Sequence, residues 1–316
     1  MSITALTPTA IPATGRPKLD ELDLSLGKRT RLHRMLYEHG PGDGTLLVLP
    51  VDQGLEHGPR DFFANDASLD PTYELSLARE TGYSAIALEY GLATKFLAPY
   101  AGTVPLILKL NGKTEIPEAA APRSPLTARV ADAVRLGADE VGYTLYVGSA
   151  QQETDFETLS QVRFEAEQAG MPLVVWSYPR GEDVEAKGGR DSMYAIDYAA
   201  RVAAELGADV VKVNFPAQNE DGTVGPVREA PAPCDTESWT YAEALARIVR
   251  SASRTFVIMS GGERVADDVL LQRVDTSLAA GVTGFIFGRN IWQRPHDPAV
   301  QIIAQIKRRM VAAVHR

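Results

Sequence analysis

The sequence predicts a (β/α)8 barrel, on three observations. Short apolar runs alternate with longer amphipathic or Ala-rich segments along the chain. Eight strand candidates emerge, the number such a barrel requires. One phrase, a helix end followed by glycine and a strand, recurs in "LGADEVGYTLY", "AGMPLVVWSY", "LGADVVKVN" and "AGVTGFIFG". The rival, a doubly wound dinucleotide-binding sheet, requires a Gly-rich turn after its first strand, and "PVDQGLEHGP" is not GxGxxG.

Taken in order, the chain opens on "MSITALTPTAIPATGRPK", a loose Pro-, Thr- and Ala-rich tail without the basic and apolar regions of a secretory signal. A basic helical prelude follows over 18–40, so residues 1–40 read as a tail and helical extension, and 41–316 as one barrel domain. The strands are expected at 45–50, 84–89, 105–110, 139–146, 172–178, 208–214, 255–260 and 283–288. Each is too short for a stable helix and rich in Val, Ile, Leu or aromatic residues. Helices are expected near 71–82, 92–100, 125–137, 152–169, 192–206, 239–253, 265–280 and 297–313. Gly137, Gly170 and Gly207 mark three helix ends. Residues 216–238, rich in Pro, Glu and Asp, form a long loop after strand six.

Composition narrows the function. The 316 residues suit a barrel with extensions. The net charge of -9 argues against broad nucleic-acid binding while leaving room for a local basic pocket. Cys234 is the only cysteine, which excludes an intrachain disulfide framework and a multi-cysteine zinc site. No apolar run is long enough for a membrane span, and the cytoplasm is the expected compartment. Of His33, His39, His57, His296 and His315, only His57 lies at a predicted catalytic strand end. A multi-histidine zinc site cannot be assembled there, so no metal or cofactor is expected.

In this fold the chemistry sits at the C-terminal ends of the strands. "VVKVNFPA" carries Lys212 in an apolar setting, where Val210, Lys212 and Asn214 share the face that points into the barrel. A lysine there either pairs with an interior carboxylate, snorkels upward, or loses charge on desolvation and becomes a nucleophile suited to a Schiff base. Lys109 in "PLILKLNGK" repeats the pattern. It would depress the pKa of Lys212 by like-charge repulsion, bind an anionic substrate, or form an internal salt bridge. Trp176 and Tyr178 share a face in "VVWSYPRG", as a pocket wall and an acid/base or simply as core aromatics. Asp52, Glu56 and His57 sit in the turn after strand one, where Asp52 could counter the lysines or merely cap the turn. "SGG" (Ser260, Gly261, Gly262) and "GRN" (Gly288, Arg289) end strands seven and eight, where phosphate sites of barrels are built. Ordinary turns would explain either tripeptide alone.

Together, "LPVDQGLEHGP", "KLNGK", "VVWSYPRG", "ADVVKVNFP", "SGG" and "GFIFGRN" resemble the archaeal-type class I fructose-1,6-bisphosphate aldolases, a (β/α)8 family also found in bacteria, in order from about residue 45 to 295. The resemblance implies that Lys212 is the Schiff-base lysine and Tyr178 the general acid/base, with Trp176 beside it. It places Asp52 and His57 at the family's acidic and histidine positions, and Ser260, Gly261, Gly262, Gly288 and Arg289 in its phosphate loops. Lys109 matches its strand-three lysine. It further implies metal-free cleavage of a phosphorylated sugar and a homo-oligomer, often a decamer. Nearby lysine charge is expected to draw the Tyr178 phenol down toward working pH. Three alternatives stand beside this reading. One is a related lysine-dependent enzyme, either a transaldol synthase or a thiolase of a phosphorylated dione. The others are a carboxylate-using barrel isomerase and a non-catalytic sugar-phosphate-binding barrel.

Overall fold

The computed structural model describes residues 15–117, 121–225 and 239–314. Eight parallel strands close into a barrel in chain order, the last pairing with the first. They are β1 (Leu46–Pro50), β2 (Ala85–Glu89), β3 (Leu106–Lys109), β4 (Glu140–Val147), β5 (Leu173–Pro179), β6 (Val210–Val213), β7 (Phe256–Ser260) and β8 (Gly284–Ile286). Each lies within two residues of its predicted limits. Alternation sorts their side chains. Leu46, Val48, Ala85, Ala87, Ile107, Val174, Val210, Phe256, Ile258 and Ile286 pack inside the barrel. The alternate residues, such as Leu47, Ile86, Leu108, Val211 and Val257, pack outward against the helices.

The described helices are α1 (Leu26–His33), α2 (Gln53–His57), α3 (Pro71–Thr81), α4 (Tyr90–Phe96), α5 (Val130–Arg135), α6 (Gln152–Gln168), α7 (Glu182–Ala186), α8 (Met193–Glu205), α9 (Tyr241–Ser251), α10 (Asp267–Ala279), α11 (Arg289–Trp292) and α12 (His296–Val314). Their starts are written locally. Asp70 caps α3 by accepting from Thr72 N, with Pro71 at the first position, and Thr240 and Glu243 form a capping box on α9. The helix expected at 125–137 begins only at Val130. The preceding residues are held by β3 instead, as Thr127 N and Ala128 N both donate to Leu110 O.

Residues N-terminal to β1 close the lower mouth of the barrel. Leu32, Met35 and Leu36 join the interior cluster. Charges fix this plug to the strand entrances. Lys28 Nζ lies 2.9 Å from Asp209 and 2.6 Å from Glu167, and Arg34 pairs with Asp139. Gly170 ends α6 at φ +57°, and a Cβ there would sit 3.0 Å from Gly27 Cα, so this glycine serves both the turn and the docking of α1. In the long loop, Thr223–Val224 pairs antiparallel with Trp239–Thr240. Residues 226–238, with Cys234, lie outside the described residues, as do the tail up to residue 14 and His315.

Candidate active site

The upper mouth gathers the polar strand ends. Lys212, near the end of β6, is 4 % exposed. Its Cα pairs with that of Trp176 on β5. Its ammonium lies 5.3 Å from the Trp176 ring centre and 5.2 Å from that of Tyr178. Burial brings this amine down to about 8, helped by Arg289 and Arg180 and opposed by Asp52 and Glu56. A useful fraction of neutral, nucleophilic amine is therefore present near neutral pH.

Lys109 sits across the same indole, 4.9 Å from the Trp176 ring centre, and its Nζ lies 3.5 Å from Asp52 Oδ2. The like-charge depression expected from Lys109 is not what lowers Lys212; burial leads, and the nearby arginines follow. The charge of Lys109 is taken up by Asp52. Burial would raise the Asp52 carboxyl, but Lys109 and then Lys212 outweigh it and hold the group below its ordinary value. Asp52 thus stays ionised between two lysines. The indole reaches this position because β4 carries Gly142; a Cβ there would meet Trp176 at 2.6 Å and Lys109 Cδ at 3.1 Å. Trp176 Nε1 is buried without a hydrogen-bond partner among the described residues, a donor available to a ligand.

Tyr178 is buried at the end of β5, with Arg180 5.1 Å from its ring centre. The expected drop in its titration is overturned. Burial raises the phenol well above its ordinary value, and the carboxylates of Glu56 and Asp52 push the same way, against a hydrogen-bonding contact with Ser260. Tyr178 is held as a proton donor rather than a phenolate.

The loops after β7 and β8 meet as expected. Gly261 N donates to Ile286 O at 3.2 Å, and a Cβ on Gly261 would strike Phe287 at 2.9 Å. Gly262 has φ +62°. Gly288 precedes α11, packed so closely on Pro50 and Gln53 that a Cβ would fall 2.8 Å from Gln53 Nε2. Arg289 opens α11, and its Nη1 lies 3.7 Å from Asp61 Oδ2. His57, at the end of α2, faces Asp61 Oδ2 through Nδ1 at 2.7 Å and Glu115 Oε1 through Nε2 at 3.5 Å. It is a hydrogen-bonding residue at the rim.

Several residues of this mouth were not singled out in the sequence. Tyr146 ends β4 in register with Tyr178, and its hydroxyl donates to Glu56 Oε1 at 3.5 Å. Glu89 ends β2 in register with Lys109 and accepts from Thr127 Oγ1 at 3.3 Å, and burial raises its carboxyl to about 7. Strand parity, applied to β2 and β4, would have found both. Asn290 fastens together the loops after β7 and β8, its Nδ2 donating to Gly261 O and Glu263 O at 3.0 Å each and its Oδ1 accepting from Val265 N at 2.9 Å. Asp61 lies in a turn, where no periodicity marks it.

Asp52, Glu56, Glu89, Lys109, Lys113 and Tyr146 line a narrow recess beside Lys212. A larger groove of about 400 Å³ lies between α8 and α9, lined by Tyr198, Trp239 and Arg247, far from the strand ends. The smaller recess, not the larger groove, is where side chains with displaced titrations, Asp52, Glu89 and the neighbouring Lys212, converge, which makes it the candidate site. Among the described residues, no group of three or more His, Cys, Asp or Glu side chains could hold a metal ion, and no helix is long and apolar enough to cross a membrane.

The profile of the "DeoC/LacD family aldolase" group matches residues 46–294, the whole barrel. The chain belongs to the DeoC/LacD family of aldolases. Among the family's curated members, it is 39 % identical over 252 residues to "Fructose-bisphosphate aldolase class 1" of Thermoproteus tenax, covering 79 % of this chain and 84 % of that one. It is 31 % identical over 305 residues to the "Fructose-bisphosphate aldolase/6-deoxy-5-ketofructose 1-phosphate synthase" of Methanocaldococcus jannaschii, covering 93 % and 86 %. Its fold superposes, with a TM-score of 0.75 and 34 % identity, on an archaeal fructose-1,6-bisphosphate aldolase whose catalytic lysine is covalently bound to the carbinolamine intermediate of the substrate. That match covers 89 % of this DeoC/LacD aldolase and 99 % of its neighbour.

Proposed function

We propose that this chain is a metal-independent, Schiff-base fructose-1,6-bisphosphate aldolase with Lys212 as its nucleophile. The observation that carries the reading is the Lys212 amine, buried between the Trp176 and Tyr178 rings and lowered to about 8. The neutral amine attacks the C2 ketone of the open-chain sugar. The carbinolamine loses water to an iminium as Tyr178 protonates the departing hydroxyl; the phenolate so formed takes the C4 hydroxyl proton while the iminium withdraws electrons and the C3–C4 bond breaks. Glyceraldehyde 3-phosphate departs, the enamine takes a proton at C3, and hydrolysis releases dihydroxyacetone phosphate and restores the amine.

Protonated Tyr178 suits the proton-donating steps, and ionised Asp52 stabilises the cationic iminium beside it. The paired glycine loops and Arg289 offer backbone N–H groups and a guanidinium to one phosphate. Trp176 walls the triose, Lys109 holds Asp52, and His57 lies at the rim. The iminium supplies the electron sink that a Lewis acid would otherwise provide. We further read the protein as a cytoplasmic homo-oligomer.

The dual name of the M. jannaschii relative favours one second reading, transaldol synthesis on the same Schiff base. One assay separates the two: triose phosphates measured from fructose 1,6-bisphosphate alone, with chelator present. Cleavage undiminished by chelator, and reduced by about 10⁴-fold or more in Lys212→Met, supports the aldolase. Activity that returns only with added zinc contradicts it, and turnover that requires a second carbonyl acceptor points to the synthase.

A further inference from the structure

We propose that Asp61 is a positioning residue of the phosphate subsite, holding the Arg289 guanidinium and the His57 imidazole in one arrangement at the barrel mouth. The inference rests on the reading of Arg289 as a phosphate ligand. Asp61 lies in the turn Pro59–Ala64 after α2, with its side chain 12 % exposed. A single oxygen, Oδ2, faces both partners: His57 Nδ1 at 2.7 Å and Arg289 Nη1 at 3.7 Å. The first is a hydrogen bond. The second is too long for one but within the range of ionic attraction. Asp61 therefore aims the guanidinium without occupying its donors, which stay free for phosphate oxygens.

The backbone around the pair is clasped from both sides. Gln293 Nε2 donates to Asp61 O at 2.7 Å, and Asn65 Nδ2 donates to Trp292 O and Arg294 O. The Phe62 ring stacks on Trp292 with centres 4.6 Å apart and an angle of 12°. Trp292 Nε1 in turn donates to Pro50 O, at the end of β1. The chain after β1 and the chain after β8 thus form one unit. The clasp sets where Arg289 leaves the backbone, and Asp61 sets where its charge ends. Such an arginine is ordered before substrate arrives, so binding need not order it. A carboxylate near a phosphate also repels it. Here that carboxylate is already engaged by the imidazole at 2.7 Å and faces the guanidinium at 3.7 Å, which blunts the repulsion.

Asp61→Asn tests this, because it keeps the shape and removes the charge. Steady-state cleavage of fructose 1,6-bisphosphate is measured beside borohydride trapping of dihydroxyacetone, a ketone without phosphate. The expected result is a KM raised by about 10-fold with kcat within about twofold, and unchanged trapping of dihydroxyacetone. In the Arg289→Ala background the same substitution adds no further rise. If Arg289→Ala raises KM but Asp61→Asn leaves it unchanged or lowers it, the positioning role is wrong. Equal losses on both ketones make Asp61 merely structural and overturn the inference as well. If Arg289→Ala itself leaves KM unchanged, the phosphate reading fails first.

Discussion

Lys212 and Tyr178 show how one environment drives two groups in opposite directions. Burial disfavours charge on both, so the lysine gives up its proton more readily and the tyrosine less readily. The result is an amine with a useful neutral fraction near neutral pH beside a phenol that keeps its proton, the pair that carbinolamine formation and dehydration would need. Tyr178→Phe keeps the ring that packs over Lys212 and removes only the hydroxyl. It should still trap substrate with borohydride, while steady-state cleavage falls by about 10²–10⁴-fold. Cleavage at the wild-type rate would make Tyr178 a packing aromatic. Lys212 was legible as a candidate because a lysine between valines on a strand is anomalous, and its burial among the aromatic rings follows from that position. The titration of Tyr178 was not, because the sequence does not show how completely the phenol is buried or that Glu56 and Asp52 lie near it. Asp61 was equally hidden, since its partners are set by two loops that approach only in the folded barrel.

At the level of elements, register does most of the positioning. β4, β5 and β6 place Gly142, Trp176 and Lys212 side by side, with Gly142 paired to Val174 one step below the indole. Gly142 is a spacer whose missing side chain is filled by Trp176 and Lys109. Gly142→Ala should cost about 1–3 kcal/mol through overpacking. It should also displace the indole, changing the near-ultraviolet circular dichroism and slowing cleavage. A variant with the parent's melting temperature and spectrum would show that the indole has room to spare. The strands were legible from their β-branched runs, and α5 was misread by several residues. The segment before Val130 has helical composition, but its N–H groups are claimed by Leu110 O, a tertiary contact that overrides local propensity.

At the scale of the whole molecule, the fold buries a carboxyl group with no counter-charge among the described residues. Glu74 on α3 is fully buried, neither carboxyl oxygen has a hydrogen-bond partner among the described residues, and burial raises it to about 8. Between its ordinary value and about 8, the folded chain keeps a proton that the unfolded chain releases. Stability must therefore fall as pH rises through that window. Glu74→Gln removes this dependence. Urea unfolding at pH 5 and pH 8 should show a loss in the parent that exceeds the variant's by on the order of 3 kcal/mol. Parallel curves for the two proteins would mean that Glu74 finds a partner or water in solution. The barrel closure was legible from eight repeated units. The plug formed by α1 and the turn after it was not, because a short basic segment gives no sign that Leu32, Met35 and Leu36 will enter the barrel's lower end.

Borohydride reduction during turnover, followed by mass spectrometry of the digested protein, tests the assignment of the nucleophile most directly. Reduction in the presence of fructose 1,6-bisphosphate should inactivate the enzyme and leave a reduced phosphorylated adduct on the peptide that contains Lys212. The rate of labelling should rise with pH and level off above about 8, as the buried amine loses its proton. An adduct on Lys109, or turnover with no covalent adduct at all, would contradict it.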